Sequence, residues 1–290
     1  GNADAMNSVG KCYFKGHGVT QDFTKAFEWF VKSAINGDTD AILNVGVCYY
    51  NGQGVTQDLT KAFEWFMKSA NNGNSGGIFY VGWCYKNGLG ITKDVNKSFE
   101  WYLKLANNEY ALAMYKIGKC YLEVAQDNTK AFEWFLKAAD NGYAKAMFNV
   151  GLCFGKGQGV TQDKTKAYEW FLKAADNGTA DAMLNVGLCY DKGQGVTQDF
   201  TKAFEWFLKA ANNGDAVAMF NVGHYFDYGQ GVTQDKSKAF EWYLKSANNG
   251  YSSAMKNVAY CYEKGEGVTQ DFTKAYEWYL KSANNGFLLQ

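Results

Sequence analysis

Seven cysteines and two histidines are the side chains of this 290-residue chain that could ligate a soft metal, form disulfides or attack a substrate. Their spacing argues against all three. Cys12, Cys48, Cys84, Cys120, Cys153, Cys189 and Cys261 recur at steps of 36, 36, 36, 33, 36 and 72 residues, so each occupies the same place in a successive segment. In a stack of helices, one thiol per segment leaves neighbours roughly 9 Å apart, beyond the Cα separation of about 7 Å that a disulfide can span. The thiols are expected to be free and to pack as small buried hydrophobes, replaceable by Tyr225 in the seventh segment. His17 and His224 fall in different segments and columns, His17 in a loop and His224 on a helix face, so they share no metal site. The recurring Gly-x-Gly-Val could suggest a phosphate cradle, but no copy is followed by Lys-Ser or Lys-Thr at the offset a phosphate loop requires. The Asp and Glu residues repeat with the segment and read as helix caps and solvated partners. No nucleophile, base and orienting group come together. No catalytic activity, no metal and no cofactor is expected. Asn96-Lys97-Ser98 and Asn177-Gly178-Thr179 match glycosylation sequons at the rate chance allows in so Asn-rich a chain.

Charge narrows the partners. The 29 basic residues, all Lys, balance 29 acidic ones, so no basic field exists to attract nucleic acid or an anionic bilayer. No apolar run approaches the roughly 20 residues of a spanning helix, and membrane insertion is not expected. The first residues show neither a charged n-region nor an apolar h-region. Free thiols point to a reducing compartment, and hence to the cytoplasm. The chain starts without Met and stops at Gln290, three residues into a further period; its termini are expected to be cut from a longer protein.

The elements that position these residues are repeats. A Glu-Trp pair recurs with its Trp at 29, 65, 101, 134, 170, 206, 242 and 278. This period divides residues 1–290 into a single array of eight copies, about 3–38, 39–74, 75–110, 111–143, 144–179, 180–215, 216–251 and 252–287. In the second copy Ala41, Ile42, Val45, Cys48 and Tyr49 have the 3 and 4 spacing of one apolar face, giving a helix over about Asp40–Asn51 that Gly52 stops. Gly54 lets the chain turn back. Asp58 is placed to cap a second helix that runs to about Asn71 and ends at Gly73, and the same Asp recurs in every copy. On that second helix Lys61, Glu64, Lys68 and Asn71 form a solvated stripe, while Ala62, Phe63, Trp65, Phe66, Met67 and Ala70 cover most of the remaining circumference. So wide an apolar surface needs two partners, its own first helix and a helix of the next copy. Burying one Phe or Leu contributes about 1.5–3 kcal/mol, against about 0.2–0.5 for a Glu64–Lys68 pair, so the aromatic ladder holds the stack. Gly46 stands mid-helix, where Gly costs about 1 kcal/mol relative to Ala; the position is Gly in seven copies and Ala259 in the eighth, which points to close helix approach.

The pattern Ala-x-Ala-(Met/Ile)-x-x-Val-Gly-x-Cys-Tyr, then Gly-x-Gly-Val, then Asp-x-x-Lys-Ala-Phe-Glu-Trp-Phe-x-Lys-x-Ala closely resembles the Sel1-like repeat, a relative of the tetratricopeptide repeat, and does so over essentially the whole chain. The resemblance implies an all-α fold, a right-handed alpha-alpha superhelical solenoid of eight antiparallel helix-hairpin repeats, and the work of an adaptor or scaffold. Members of the family serve signalling, protein quality control and host contact. Two departures stand out. The usual loop Pro is missing, Val-Thr-Gln-Asp taking its place, and the two bridged cysteines per repeat of some secreted relatives are absent, so their extracellular habit is not carried over.

Comparing the copies with one another separates what packing demands from what it leaves free. Four first-helix columns vary in kind. In the second copy they hold Asp40, Leu43, Val47 and Tyr50, spaced 3, 4 and 3 and therefore on one face. Elsewhere they become Phe79 and Trp83, Tyr115 and Lys119, Phe148 and Leu152, Leu184 and Leu188, Phe220 and His224, and Lys256 and Tyr260. The resemblance implies that this face lines the concave groove. The result is an apolar strip, with Lys11, Lys15, Lys256 and Lys264 near its ends, suited to an extended peptide or amphipathic helix. A protein or peptide ligand is the expected partner. The alternative is an architectural module that stacks end to end with itself or with further repeats. Sixteen helices at about 9–10 Å give a contour on the order of 150 Å, room for several binding positions. The fourth copy lacks three loop residues, Tyr121-Leu122-Glu123 running straight into Val124-Ala125-Gln126-Asp127, and a local change of curvature is expected there.

Overall fold

The structure, a computed structural model, describes residues 1–106 and 110–285. The joint between copies three and four at 107–109, the last repeat boundary and Gln290 lie outside the described residues. The described residues form sixteen α-helices and one π-helical turn, with no strand among them. They divide into two compact units, from Gly1 to Asn141 and from Gly142 onward.

The first unit holds α1 (Ala3–Lys15), α2 (Phe23–Ile35), α3 (Thr39–Asn51), α4 (Leu59–Asn71), α5 (Ser75–Asn87), α6 (Val95–Ala106), α7 (Ala111–Cys120), the π-turn (Tyr121–Ala125) and α8 (Asn128–Asp140). The second holds α9 (Ala144–Lys156), α10 (Lys164–Asp176), α11 (Ala180–Lys192), α12 (Phe200–Asn212), α13 (Ala216–Tyr228), α14 (Lys236–Asn248), α15 (Ser252–Lys264) and α16 (Phe272–Asn285). Within each unit every helix packs on the next in sequence, so each second helix is shared between its own hairpin and the following one.

The ends of these helices follow from their residues. Gly52 ends α3 in the left-handed conformation (φ 69°), and the N–H groups of Gly52 and Gln53 return to the Cys48 carbonyl. Asp58 then caps α4 by accepting the Lys61 N–H at 3.0 Å. All eight copies of this Asp make the same bond. Those backbone N–H donors hold the carboxyls of Asp22, Asp58, Asp235 and Asp271 below the usual carboxylate range. The loop that lacks Pro is closed by its Gln: Gln57 Nε2 donates to the Tyr50 carbonyl at 2.7 Å, and Gln21, Gln162, Gln198, Gln234 and Gln270 repeat this tie.

The second glycine of the loop does more than turn the chain. A Cβ on Gly54 (φ 72°) would lie 2.0 Å from the carbonyl oxygen of Phe23, at the start of the preceding second helix, and Gly90, Gly195, Gly231 and Gly267 have the same relation to the copy before them. Loop backbone and helix backbone thus touch at the joint between copies. The mid-helix glycine is explained as well, since a Cβ on Gly46 would meet the Phe66 ring at 2.7 Å. The second-helix ring lies in the notch, and Phe66, Tyr102, Phe135, Phe207 and Tyr243 are 0–1% exposed as a result. In the fourth copy the missing loop is replaced by the π-turn, which ends on Gln126 (φ 51°), the one non-glycine with positive φ among the described residues.

Candidate interaction face

A helix that gives its Ala, Val and Cys columns to the core has one stripe left over. On α3, Ala41, Val45 and Cys48 are at most 1% exposed, while Leu43, Val47 and Tyr50 keep part of their surface open. In the first unit Phe79 and Trp83 on α5, and Tyr115 and Lys119 on α7, are likewise half-buried. In the second unit the same holds for Phe148 and Leu152 on α9, Leu184 and Leu188 on α11, and Phe220 and His224 on α13. Tyr260 on α15 is exposed. None of these fourteen side chains is sealed in the interior. The first copy differs: Asn7, in the Leu43 column, is buried and ties two copies together, donating to Asp38 at 3.1 Å and accepting from Asn44 at 3.0 Å.

Two kinds of position emerge. The column of Phe79, Tyr115, Phe148 and Phe220 rests on the buried ring of its own hairpin, with centroids 5.6–5.8 Å apart in the pairs Phe79–Tyr102, Tyr115–Phe135, Phe148–Phe171 and Phe220–Tyr243. These rings are anchored at one edge. The column one turn on, with Trp83, Leu152, Leu188 and His224, is half-buried as well. Lys116 lies over Trp83 at 5.1 Å, and the His224 ring is tilted against that of Tyr228 with centroids 4.5 Å apart. Tyr50, Phe79 and Trp83 together line a shallow surface hollow of the first unit. Lys86 and Lys119 converge on Glu123, at 2.9 and 3.6 Å, beside the shortened loop.

One expected interaction does not form. Lys68 is not paired with Glu64; its ammonium sits 4.8 Å from the centroid of Trp65 instead. All eight copies make this contact, at 3.6–4.8 Å, because three residues of helix bring the Lys stem back across the indole face. A second ladder sets the Lys61 column over the Tyr49 column, as in Lys25 over Tyr13 at 5.6 Å and Lys61 over Tyr49 at 5.7 Å. Lysine at those same residues also pairs with the capping Asp, as Lys61 does with Asp58 at 3.2 Å. The Lys-Ala-aromatic-Glu-Trp-x-x-Lys spacing carries the signal for this contact, since it sets the indole one turn before the lysine.

The thiols are all free, six buried and Cys12 exposed. Within the first unit the second helix of a copy lies against the Cys of the next, as Ala26, Phe30 and Ala34 of α2 do around Cys48. Tyr225 takes the thiol's place in the seventh copy and spends its hydroxyl on Asp191 at 2.5 Å. Burial pushes Cys48, Cys153, Cys189 and Cys261 up to about 11 and Cys84 to about 12. A thiol raised in the folded state loses protons later than in the unfolded chain, so its contribution to stability is intact below about pH 9 and declines as pH rises through 11–12. Ellman's reagent at pH 8 should therefore titrate Cys12 at once and the other six only on unfolding; fast reaction of more than one thiol would contradict this burial. Among the described residues no group of three His, Cys, Asp or Glu is arranged to hold a metal ion, and no helix is long and apolar enough to cross a membrane.

Comparison with known proteins agrees with this geometry. A search of curated proteins returned no match. Among solved structures the chain is similar to a protective antigen of uropathogenic Escherichia coli described as displaying an SLR fold, with 33% identity and a TM-score of 0.86 over 99% of this chain and 62% of that one. The chain thus spans about three fifths of the antigen's length. It is also similar to a Sel1 repeat protein from Oxalobacter formigenes, with 29% identity and a TM-score of 0.80 over 100% of this chain and 87% of that one. The Sel1 repeat model fits residues 3–38, 39–74, 75–110, 111–143, 144–179, 180–215, 216–251 and 252–287, one hairpin each, and the chain belongs to the Sel1 repeat family.

Proposed function

We propose that this chain acts by binding rather than by catalysis, as one array of eight repeats that holds protein or peptide segments on the first-helix face. The observation that carries this reading is the contrast within single helices. On α11, Ala182 and Val186 are 0% exposed, while Leu184 and Leu188, equally apolar, are left partly in water although neither the core nor solubility requires it. Partly anchored rings and aliphatic side chains in a row give a partner contact area at low entropic cost, since their rotamers are already restricted. Balanced charge disfavours nucleic acid and lipid surfaces as that partner, and free thiols support a reducing compartment, the cytoplasm.

The test uses peptides selected from a displayed random library on the parent chain. Changing Leu184, Leu188 and Phe220 together to Lys is expected to weaken the selected peptides at least tenfold while the helical circular dichroism signal persists. Unchanged affinity in the folded triple variant would refute the assignment of this face.

A second reading has its own observation. On α16, Tyr276 and Leu280 are 67 and 47% exposed and Phe272 beside them 66%, whereas the columns of Tyr276 and Leu280 in the second copy, at Phe63 and Met67, pack in the cluster shared with the following hairpin. Such a face is suited to a further repeat or a second copy of the chain. Concentration-dependent sedimentation that disappears on changing Phe272 and Tyr276 to Glu would favour end-to-end stacking; a monomer at all concentrations would count against it.

A further inference from the structure

An ion cluster joins the seventh and eighth copies. Lys236, at the start of α14, places its Nζ 2.6 Å from Asp227 and 3.0 Å from Glu266, and Tyr243 donates to the other Asp227 oxygen at 3.2 Å. Two copies earlier the matching residues are Lys164, Gly155 and Gln194: the lysine is kept, and both carboxylates are gone. Lys164 turns to the main-chain carbonyl of Gly155 at 2.7 Å instead. A recess of about 170 Å³ lies beside Gly155 between copies five and six, lined by the exposed Lys156, Lys164 and Lys192 and by Leu152, Leu188 and Phe171 among others. Among the described residues, no ion pair joins any of these three lysines to a carboxylate. A side chain at 155 has room, since a Cβ on Gly155 would meet only the Ala167 methyl, at an ordinary 3.6 Å.

Lys156, Lys164 and Lys192 line this recess from the solvent side together with apolar residues, so an anion with a short apolar stem is the complementary guest. The chain itself shows which anion fits this lysine, because around Lys236 the place is filled by carboxylates of the seventh and eighth copies. Leu152 and Leu188 belong to the first-helix face, so the recess adjoins the surface proposed to bind peptides. We propose that this recess receives the acidic side chain of a peptide lying on the second unit's first-helix face, its carboxylate standing where Asp227 and Glu266 stand around Lys236. The inference rests on the peptide-binding reading and specifies its chemistry: a Glu or Asp flanked by apolar residues.

The full chain, labelled at lysine Cε and leucine methyls, is titrated by NMR with N-acetyl-Leu-Glu-Leu-amide, with the Leu-Gln-Leu counterpart, and with inorganic phosphate. The Glu peptide is expected to shift Lys156, Lys164 and Lys192 and to bind at least tenfold more tightly than the Gln peptide. Lys164→Met should abolish that preference while leaving the leucine shifts. The pair Gly155→Asp and Gln194→Glu, which rebuilds the carboxylates found around Lys236, should do the same without lowering the melting temperature. Equal binding of the two peptides with leucine shifts intact would overturn the carboxylate site and leave the face standing. Leucine methyls unmoved by either peptide would bring down the face and the site together. Phosphate shifting the three lysines as strongly as the Glu peptide would overturn the assignment of a carboxylate receptor.

Discussion

Gly54→Ala is expected to destabilise the first unit by roughly 2–5 kcal/mol, a large loss for a single added methyl. Two costs combine. A non-glycine residue at φ 72° bears the left-handed penalty, and its Cβ would stand 2.0 Å from the Phe23 carbonyl oxygen and 2.4 Å from the carbonyl carbon. Backbone, unlike the tip of a side chain, cannot move aside without shifting α2 against the next hairpin. An internal control separates the two terms: Gly18 has the same role in the first copy (φ 74°), and a Cβ there meets nothing within 4 Å. Gly18→Ala should cost only the conformational part, about 1–2 kcal/mol. The check is guanidinium unfolding followed by circular dichroism, with hydrogen exchange across α2–α4 to localise the damage. Equal losses at the two glycines would mean that the joint between copies is not held by this backbone contact.

Phe66→Ala should cost about 3–5 kcal/mol, against at most about 0.5 for Glu64→Ala on the solvated stripe. Phe66 is 0% exposed, fills the notch over Gly46 and stacks on Tyr80 of the next copy with centroids 4.5 Å apart. Its removal opens a cavity inside one hairpin and strips an aromatic contact from the adjoining one, so the unfolding transition should broaden as the repeats uncouple. The same unfolding experiment decides it. A loss below 1 kcal/mol would show that the ring is not the ladder's rung.

Much of this was legible in the sequence because repetition is itself an experiment in substitution. Eight copies of Asp58, Gly46 and the Glu-Trp pair mark the cap, the notch and the second helix without reference to any other protein. The four variable columns could be placed on one face from the helical period alone. What escaped was contact that period and residue type do not encode. Lys68 lies equally well for Glu64 and for Trp65, one turn of helix serving both, and the indole face takes it. Gln57 looks like an ordinary loop amide until its distance to the Tyr50 carbonyl is known. The approach of Gly54 to Phe23 joins residues 31 apart across a copy boundary, and only packed coordinates reveal it. The recess at Lys164 is a further case: Gly155 among larger residues was visible in the sequence, but not that its lysine neighbours would be left without a counter-charge.

The face itself is tested most directly by photo-cross-linking. Benzoylphenylalanine is placed singly at Leu184, Leu188 and Phe220, and, for comparison, at Glu205 and Glu241 on the solvated sides of α12 and α14. A library-selected peptide should cross-link to the three first-helix positions and to neither glutamate position. Cross-linking confined to Glu205 and Glu241, with the first-helix positions silent, would contradict the proposal that the spared stripe of the first helices is where partners dock.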